Sequence, residues 1–235
     1  MATTPEQFTE RVERLRTALV EQGRRVQAQA ELAFGAVFGC DAAKAKEACQ
    51  RDDEIDRVDV ELEKAAVDLL TDATREGAQL DARQLRWVLT IVKINNELER
   101  IADAAVDVAE MVEPLRQISP QFPPTFRVIA NSVVGILRDV NTTIARADPL
   151  LAKVVLQSQH AVTEFKSAIL RDAEGRIAKG TMSVEMAFRL HEIASQCELM
   201  ADHCTNISEQ IIYVTTGAIV RHTEAKWIEV TGTGG

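Results

Sequence analysis

Apolar residues recur along the chain at steps of three and four. Ile94, Leu98, Ile101, Ala105 and Val108 form one such stripe, and Ile193, Cys197, Met200, Cys204 and Ile207 form another. At about 100° per residue, these steps put each set on one buried face of an α-helix, whereas a strand would need alternation. Turn and cap residues divide the pattern into six helices. Thr4-Pro5-Glu6 supplies an N-cap, a proline at the first helical position and an acid in the first turn, which predicts a helix reaching about Phe38. Gly39-Cys40-Asp41 breaks it, and Asp41 caps a second helix to about Arg75. Gly77 ends that one, and Asp81-Ala82-Arg83-Gln84 has the form of a capping box for a third. The stretch from Glu113 to Pro124 holds four of the six prolines and reads as the linker. Beyond it a fourth helix runs to about Ala147, and Asp148-Pro149 opens a fifth. Gly180 stops the fifth, and Thr181 or Ser183 caps a sixth.

The two halves repeat. A shift of 99 positions lays Leu98–Glu110 on Cys197–Glu209, so that the two apolar stripes coincide. Glu99 then meets Glu198, Ala102 meets Ala201, Asp103 meets Asp202 and Glu110 meets Glu209. Agreement of a core pattern and an acidic pattern points to internal duplication. The expected fold is therefore all-α, two repeated antiparallel three-helix bundles. They cover residues 1–113 and 125–223, with a Pro-rich linker at 114–124 and a disordered tail at 224–235.

Composition fits this fold and excludes several functions. Hydrophobic residues are 46% of the chain but aromatics only 4%, so the core must be mainly Ala, Val, Leu and Ile. A formal charge of −9 without a basic stripe excludes a nucleic-acid surface. The four cysteines, Cys40, Cys49, Cys197 and Cys204, form no C-x-x-C pair and read as reduced thiols, with Cys197 and Cys204 on the apolar face. Trp87 reads as a core residue and Trp227 as a tail residue. The N-terminal residues carry no secretory pattern, and the longest apolar run, Ile211–Val220, is about half of a bilayer span. A soluble protein that reaches membranes only through partners is expected.

Three helices carry rows of acids. On the second these are Asp52, Asp56, Asp59 and Glu63; on the third, Glu99, Asp103, Asp107 and Glu110, almost opposite the apolar stripe. On the sixth the same face carries His191, Glu198, Asp202, Asn206 and Glu209. Like charges four apart cost an isolated helix roughly 0.2–0.5 kcal/mol per pair, so such rows are either a plain acidic surface or a gathering of oxygens for a hard cation. Spacing alone leaves both open. The Glu-x-x-His pairs of di-iron bundles, H-E-x-x-H, a Gly-rich phosphate loop and a nucleophile with its base are all missing, so no enzyme is expected.

The segment ELERIADAAVDVAE (Glu97–Glu110), its echo CELMADHCTNISE (Cys197–Glu209) and DDEIDRVDVELEKAAVDLL (Asp52–Leu70) together resemble the PhoU family, whose members are called phosphate-specific transport system accessory proteins. The likeness runs from about residue 5 to residue 223. It implies a metal held by the acidic signature, which falls on Asp52, Asp56, Glu99, Asp103, Glu198 and Asp202. The fourth occurrence is missing: aligning the fifth helix by its place in the repeat puts Ser158 and Val162 where acids are expected. The usual Arg-Ile-Gly before the aspartate is altered to Arg100-Ile101-Ala102 and Leu199-Met200-Ala201. A family-type site should thus be fuller in the first half. The resemblance further implies iron, zinc, manganese or magnesium as the cation, and a cytoplasmic, homodimeric regulator. Its partners would be the nucleotide-binding subunit of a phosphate ABC transporter and a sensor histidine kinase, with phosphate import restrained. Two other readings compete: an accessory protein of another phosphate carrier with the same fold, and a carboxylate-bridged metal enzyme of ferritin type.

Overall fold

The computed structural model describes residues 5–220 except 79 and 119. Its helices are α1 (Pro5–Gly39), α2 (Ala42–Arg75), α3 (Ala82–Glu110), a short α4 (Val112–Ile118), α5 (Pro124–Arg146), α6 (Pro149–Ala178) and α7 (Val184–Thr216). The third to sixth helices of the sequence reading are thus α3, α5, α6 and α7. The expected tail at 224–235, with Trp227, lies outside the described residues.

The first hairpin of each half turns by the same local chemistry. Cys40 (φ 48°) and Ala147 (φ 50°) take the left-handed conformation that ends a helix, and an aspartate follows each. The Asp41 carboxylate accepts from the backbone N–H groups of Ala43 and Lys44, and the Asp148 carboxylate from those of Leu150 and Leu151. The capping box of Asp81 and Gln84 forms as the sequence predicts. At α7 the cap is Ser183, whose hydroxyl accepts from the Met186 amide.

The Pro-rich linker departs from expectation. Helix α4 occupies half of it, because Pro114 stands in the first turn, where a missing N–H costs nothing. Val112 and Leu115 are buried. Phe122 stacks on Phe126 with ring centroids 5.1 Å apart, both rings meet Phe38 edge-on, and the Arg127 guanidinium lies 4.2 Å over Phe38. The connection is pinned to the body by these contacts.

The three-helix units share one core. Helix α3 packs on α7 and α1 on α5, and Phe8, Leu19, Ile55, Leu98, Ile101, Phe126, Leu137 and Val162 are all buried in one apolar cluster. Trp87 belongs to it, with the Arg16 guanidinium 4.2 Å above its ring. All four cysteines are free. Burial pushes the Cys197 thiol up to about 12 and the Cys204 thiol up as well, the latter helped by the charge of Glu97, so both are inert core groups.

The register of the repeat is visible in the turns. Cys40 and Ala147, like Asp41 and Asp148, stand 107 positions apart. The same displacement takes buried Ala45, Ala48, Ile55, Leu62 and Ala66 of α2 onto buried Ala152, Val155, Val162, Ile169 and Ala173 of α6. This corrects the placement of Ser158 and Val162 opposite Asp52 and Asp56. Val162 is a core residue at the position of Ile55, and the residues standing where Asp52 and Asp56 stand are Gln159 and Thr163. A slip of one residue turns a helix by about 100°, enough to exchange its wet and dry faces.

Where α1 crosses α5, Gly23 faces Asn141. The Asn141 amide donates to Gly23 O at 3.0 Å and to Gln27 Oε1 at 2.9 Å, and a Cβ on Gly23 would come within 2.1 Å of Asn141 Oδ1. Alanine for glycine in a free helix gains about 1 kcal/mol. Here Gly23→Ala should instead lose about 1 kcal/mol in urea unfolding, because the crossing must spread or the amide bonds break.

Candidate functional site

Helices α2 and α3 are neighbours, and their acidic rows meet along the seam between them. Burial raises the Asp52 carboxyl above its ordinary value, and the charges of Asp56, Asp103 and Asp53 add to this, while a hydrogen bond from Gln29 opposes it. Asp103 is raised by burial and by Asp56 and Asp107, against a hydrogen bond with Glu99 and the charge of Arg100. Glu99 is raised by burial and then by Asp103, Asp59 and Asp56. Asp59 follows the same rule, with burial first and Glu63 and Asp56 after it. Asp56 and Asp103 therefore repel each other and also both Asp52 and Glu99, which brings the four together along one seam.

Two buried amides fix this row from beneath. Gln29 of α1 donates to Ala48 O at 3.2 Å and Asp52 Oδ1 at 3.0 Å. Asn95 of α3 donates to Asp59 O at 3.0 Å and Asp59 Oδ1 at 2.7 Å. The sequence reading did not single out either. Their signal was present, since Gln22 and Gln29 are seven apart on the apolar face of α1, where a polar residue must find a partner. Among the described residues none of Asp52, Asp56, Asp59, Glu99 or Asp103 enters a salt bridge, and Arg100 instead bonds Asn96 Oδ1 at 3.2 Å. Nor do three or more His, Cys, Asp or Glu side chains among the described residues converge into a ready-made cation shell. A cation here would have to draw exposed side chains together.

The second half is arranged otherwise. Lys166 Nζ of α6 lies 2.7 Å from Glu198 Oε2 of α7, and the Thr163 hydroxyl donates to Glu198 Oε1 at 2.9 Å. Gln159 Nε2 donates to Asp202 Oδ1 at 2.7 Å. Burial pushes Glu198 up, but the hydrogen bonds from Lys166 and Thr163 and the ammonium charge outweigh it and hold the carboxyl below its ordinary value. Exposed His191 meets Ser195 Oγ at 3.5 Å.

Between the halves, α3 and α7 share a further polar group. His203 Nδ1 lies 2.6 Å from Glu97 Oε2, and Asn206 Nδ2 donates to the same oxygen at 3.0 Å. An ionised carboxylate can only accept, so Nδ1 carries the proton.

A twice-repeated helical bundle with carboxylates ranged along the α2–α3 seam defines a class of acidic-faced helical proteins. The profile described as the PhoU domain matches residues 19–112 and 126–211. Those two matches begin 107 positions apart and end 99 apart, the displacements that relate α2 to α6 and α3 to α7. The chain belongs to the PhoU family. The Pseudomonas putida phosphate-specific transport system accessory protein PhoU homolog is 30% identical over 97% of this chain and 89% of its own length. The crystal structure of PhoU from Pseudomonas aeruginosa is similar at a TM-score of 0.82 and 26% identity, covering 90% of this chain and all of that one. The Streptococcus pneumoniae regulatory protein PhoU, at 21% identity and a TM-score of 0.83 over 92% of this chain and all of that one, shares the fold. No helix among the described residues is long and apolar enough to cross a membrane.

Proposed function

We propose that the chain is an accessory regulator of phosphate uptake, bridging the nucleotide-binding subunit of a phosphate ABC importer and the sensor histidine kinase of the starvation response. The observation that carries this is the PhoU-domain match in both halves, supported by relatives named as phosphate-specific transport accessory proteins. Such a protein acts by binding. It holds the kinase inactive and restrains import when phosphate is plentiful, and it can do so only by preferring one state of each partner.

The acidic seam is the surface whose charge can change. Its donors are of the hard-oxygen kind that magnesium, manganese and iron accept; among the described residues none is in a salt bridge, and the charge of Arg100 offsets only part of their mutual repulsion. Asp52, Asp56, Glu99 and Asp103 would hold such a cation, which would supply charge neutralisation and nothing catalytic. Gln29 orients Asp52, and Asn95 keeps Asp59 turned toward the seam.

Deleting the gene should leave phosphate-starvation genes switched on in phosphate-rich medium, and a plasmid copy should switch them off. Starvation-gene expression that stays low in the deletion strain would contradict the regulatory reading.

A further inference from the structure

The register found in the turns makes the two halves comparable residue by residue. Asp52, Asp56 and Asp59 of α2 stand where Gln159, Thr163 and Lys166 stand on α6; Glu99 and Asp103 of α3 stand where Glu198 and Asp202 stand on α7. In both halves these side chains meet across the helix seam, since Asp103 is repelled by Asp56 as Asp202 is held by Gln159. One half collects five carboxylates. The other keeps two and answers them with two neutral donors and one ammonium.

We propose that Lys166 is a built-in counter-ion, its ammonium neutralising Glu198 in the second half as a cation would neutralise the carboxylates of the first, so that cation binding is confined to the α2–α3 seam. The geometry carries it. The Lys166 and Glu198 side chains are only 19% and 25% exposed, and both oxygens of Glu198 are engaged, one by Lys166 Nζ at 2.7 Å and the other by Thr163 Oγ1 at 2.9 Å. A divalent ion arriving at Glu198 would have to displace the ammonium and leave it beside the ion, half-buried with no carboxylate, which is costly in that setting. Gln159 adds a second obstacle, since its amide points a donor at Asp202 where a ligand oxygen would be needed. The charge of the second-half seam is thereby fixed whatever the metal supply, and only the first-half seam can answer to it.

This inference rests on the cation reading of the first half, and one experiment separates the two. Mn²⁺ bound per chain is measured by equilibrium dialysis on the full chain, the Glu198→Gln/Asp202→Asn variant, and a variant carrying Gln159→Asp, Thr163→Asp and Lys166→Asp. The wild type and Glu198→Gln/Asp202→Asn should bind equally, and the triple variant should bind about twice as much, because it restores the first half's donor set. If Glu198→Gln/Asp202→Asn halves the Mn²⁺ bound, the second half holds a cation and the proposal is overturned. A folded triple variant that gains none overturns it too, while wild-type binding keeps the first-half reading. A wild type that binds no Mn²⁺ sinks that first-half reading; if the triple variant still gains Mn²⁺ the replacement by Lys166 stands, and if it does not, both fall. Should the triple variant fail to fold, the Glu198→Gln/Asp202→Asn comparison decides alone.

Discussion

Asp56→Ala together with Asp103→Ala should weaken Mn²⁺ binding at least about tenfold, since changes merely behind a metal's ligands already cost that much. Both residues lie at the centre of the seam. Asp56 raises Asp52, Glu99 and Asp103, and Asp103 in turn raises Asp52 and Glu99. The same pair should make the cation-free protein more stable, by about 1 kcal/mol, because each like-charge pair costs a few tenths and alanine is the better helix former. Asp56→Asn with Asp103→Asn separates these causes, asparagine and aspartate having similar helix propensity. A seam selected only as a solvated acidic surface would show no change in metal content after dialysis, and its variants would still gain stability. The metal measurement is therefore the one that discriminates.

The second large effect lies between the halves. Glu97→Ala should cost about 2–3 kcal/mol, seen as a fall in Tm of about 5–10 °C for a chain of this size. The carboxylate is 22% exposed and His203 only 11%, and removal leaves the His203 Nδ1–H and one Asn206 N–H inside the α3–α7 contact without their acceptor. The pH dependence has a definite sign. Burial pushes Glu97 up, but the bonds from His203 and Asn206, with the His203 and Arg100 charges, bring it below the ordinary value of 4.5. A carboxylate depressed on folding adds stability that is present above its unfolded value and lost as pH falls through the folded one. The gap between wild type and Glu97→Gln should thus be widest near neutral pH and should close on acidification below 4.5. Equal urea midpoints for the two proteins at neutral pH would show the contact to be idle.

These two sites differ in how far they could be read beforehand. The seam was legible because its parts are local: acids stepping by four and three mark one helix face, and helices as close in sequence as α2 and α3 pack as antiparallel neighbours. The caps were legible for the same reason, Asp41, Asp81, Asp148 and Ser183 each bonding amides two or three residues on. Glu97 with His203 was not, since the pair is 106 residues apart and depends on which faces of α3 and α7 meet. The register of α6 also escaped because no acids were left to align; the turn at Ala147-Asp148 and the buried stripe Ala152, Val155, Val162 and Ile169 settle it in favour of Gln159 and Thr163. Helix α4 escaped because prolines read as breakers, although Pro114 lies where a helix tolerates one.

The asymmetry of the halves gives the family fold a direction. The apolar interior is duplicated, position by position, from Ile94 and Leu98 onto Ile193 and Cys197. The seams above it have diverged, one kept anionic and the other closed by Lys166. On the proposed cation reading, a partner that reads charge would meet two related surfaces, one answering to the metal supply and the other not.

Paramagnetic broadening of backbone amide signals by substoichiometric Mn²⁺ tests the central claim most directly. Signals near Asp52, Asp56, Glu99 and Asp103 should vanish first, while those near Glu198, Asp202 and Lys166 persist. Broadening that strikes both seams equally, or neither, would contradict it.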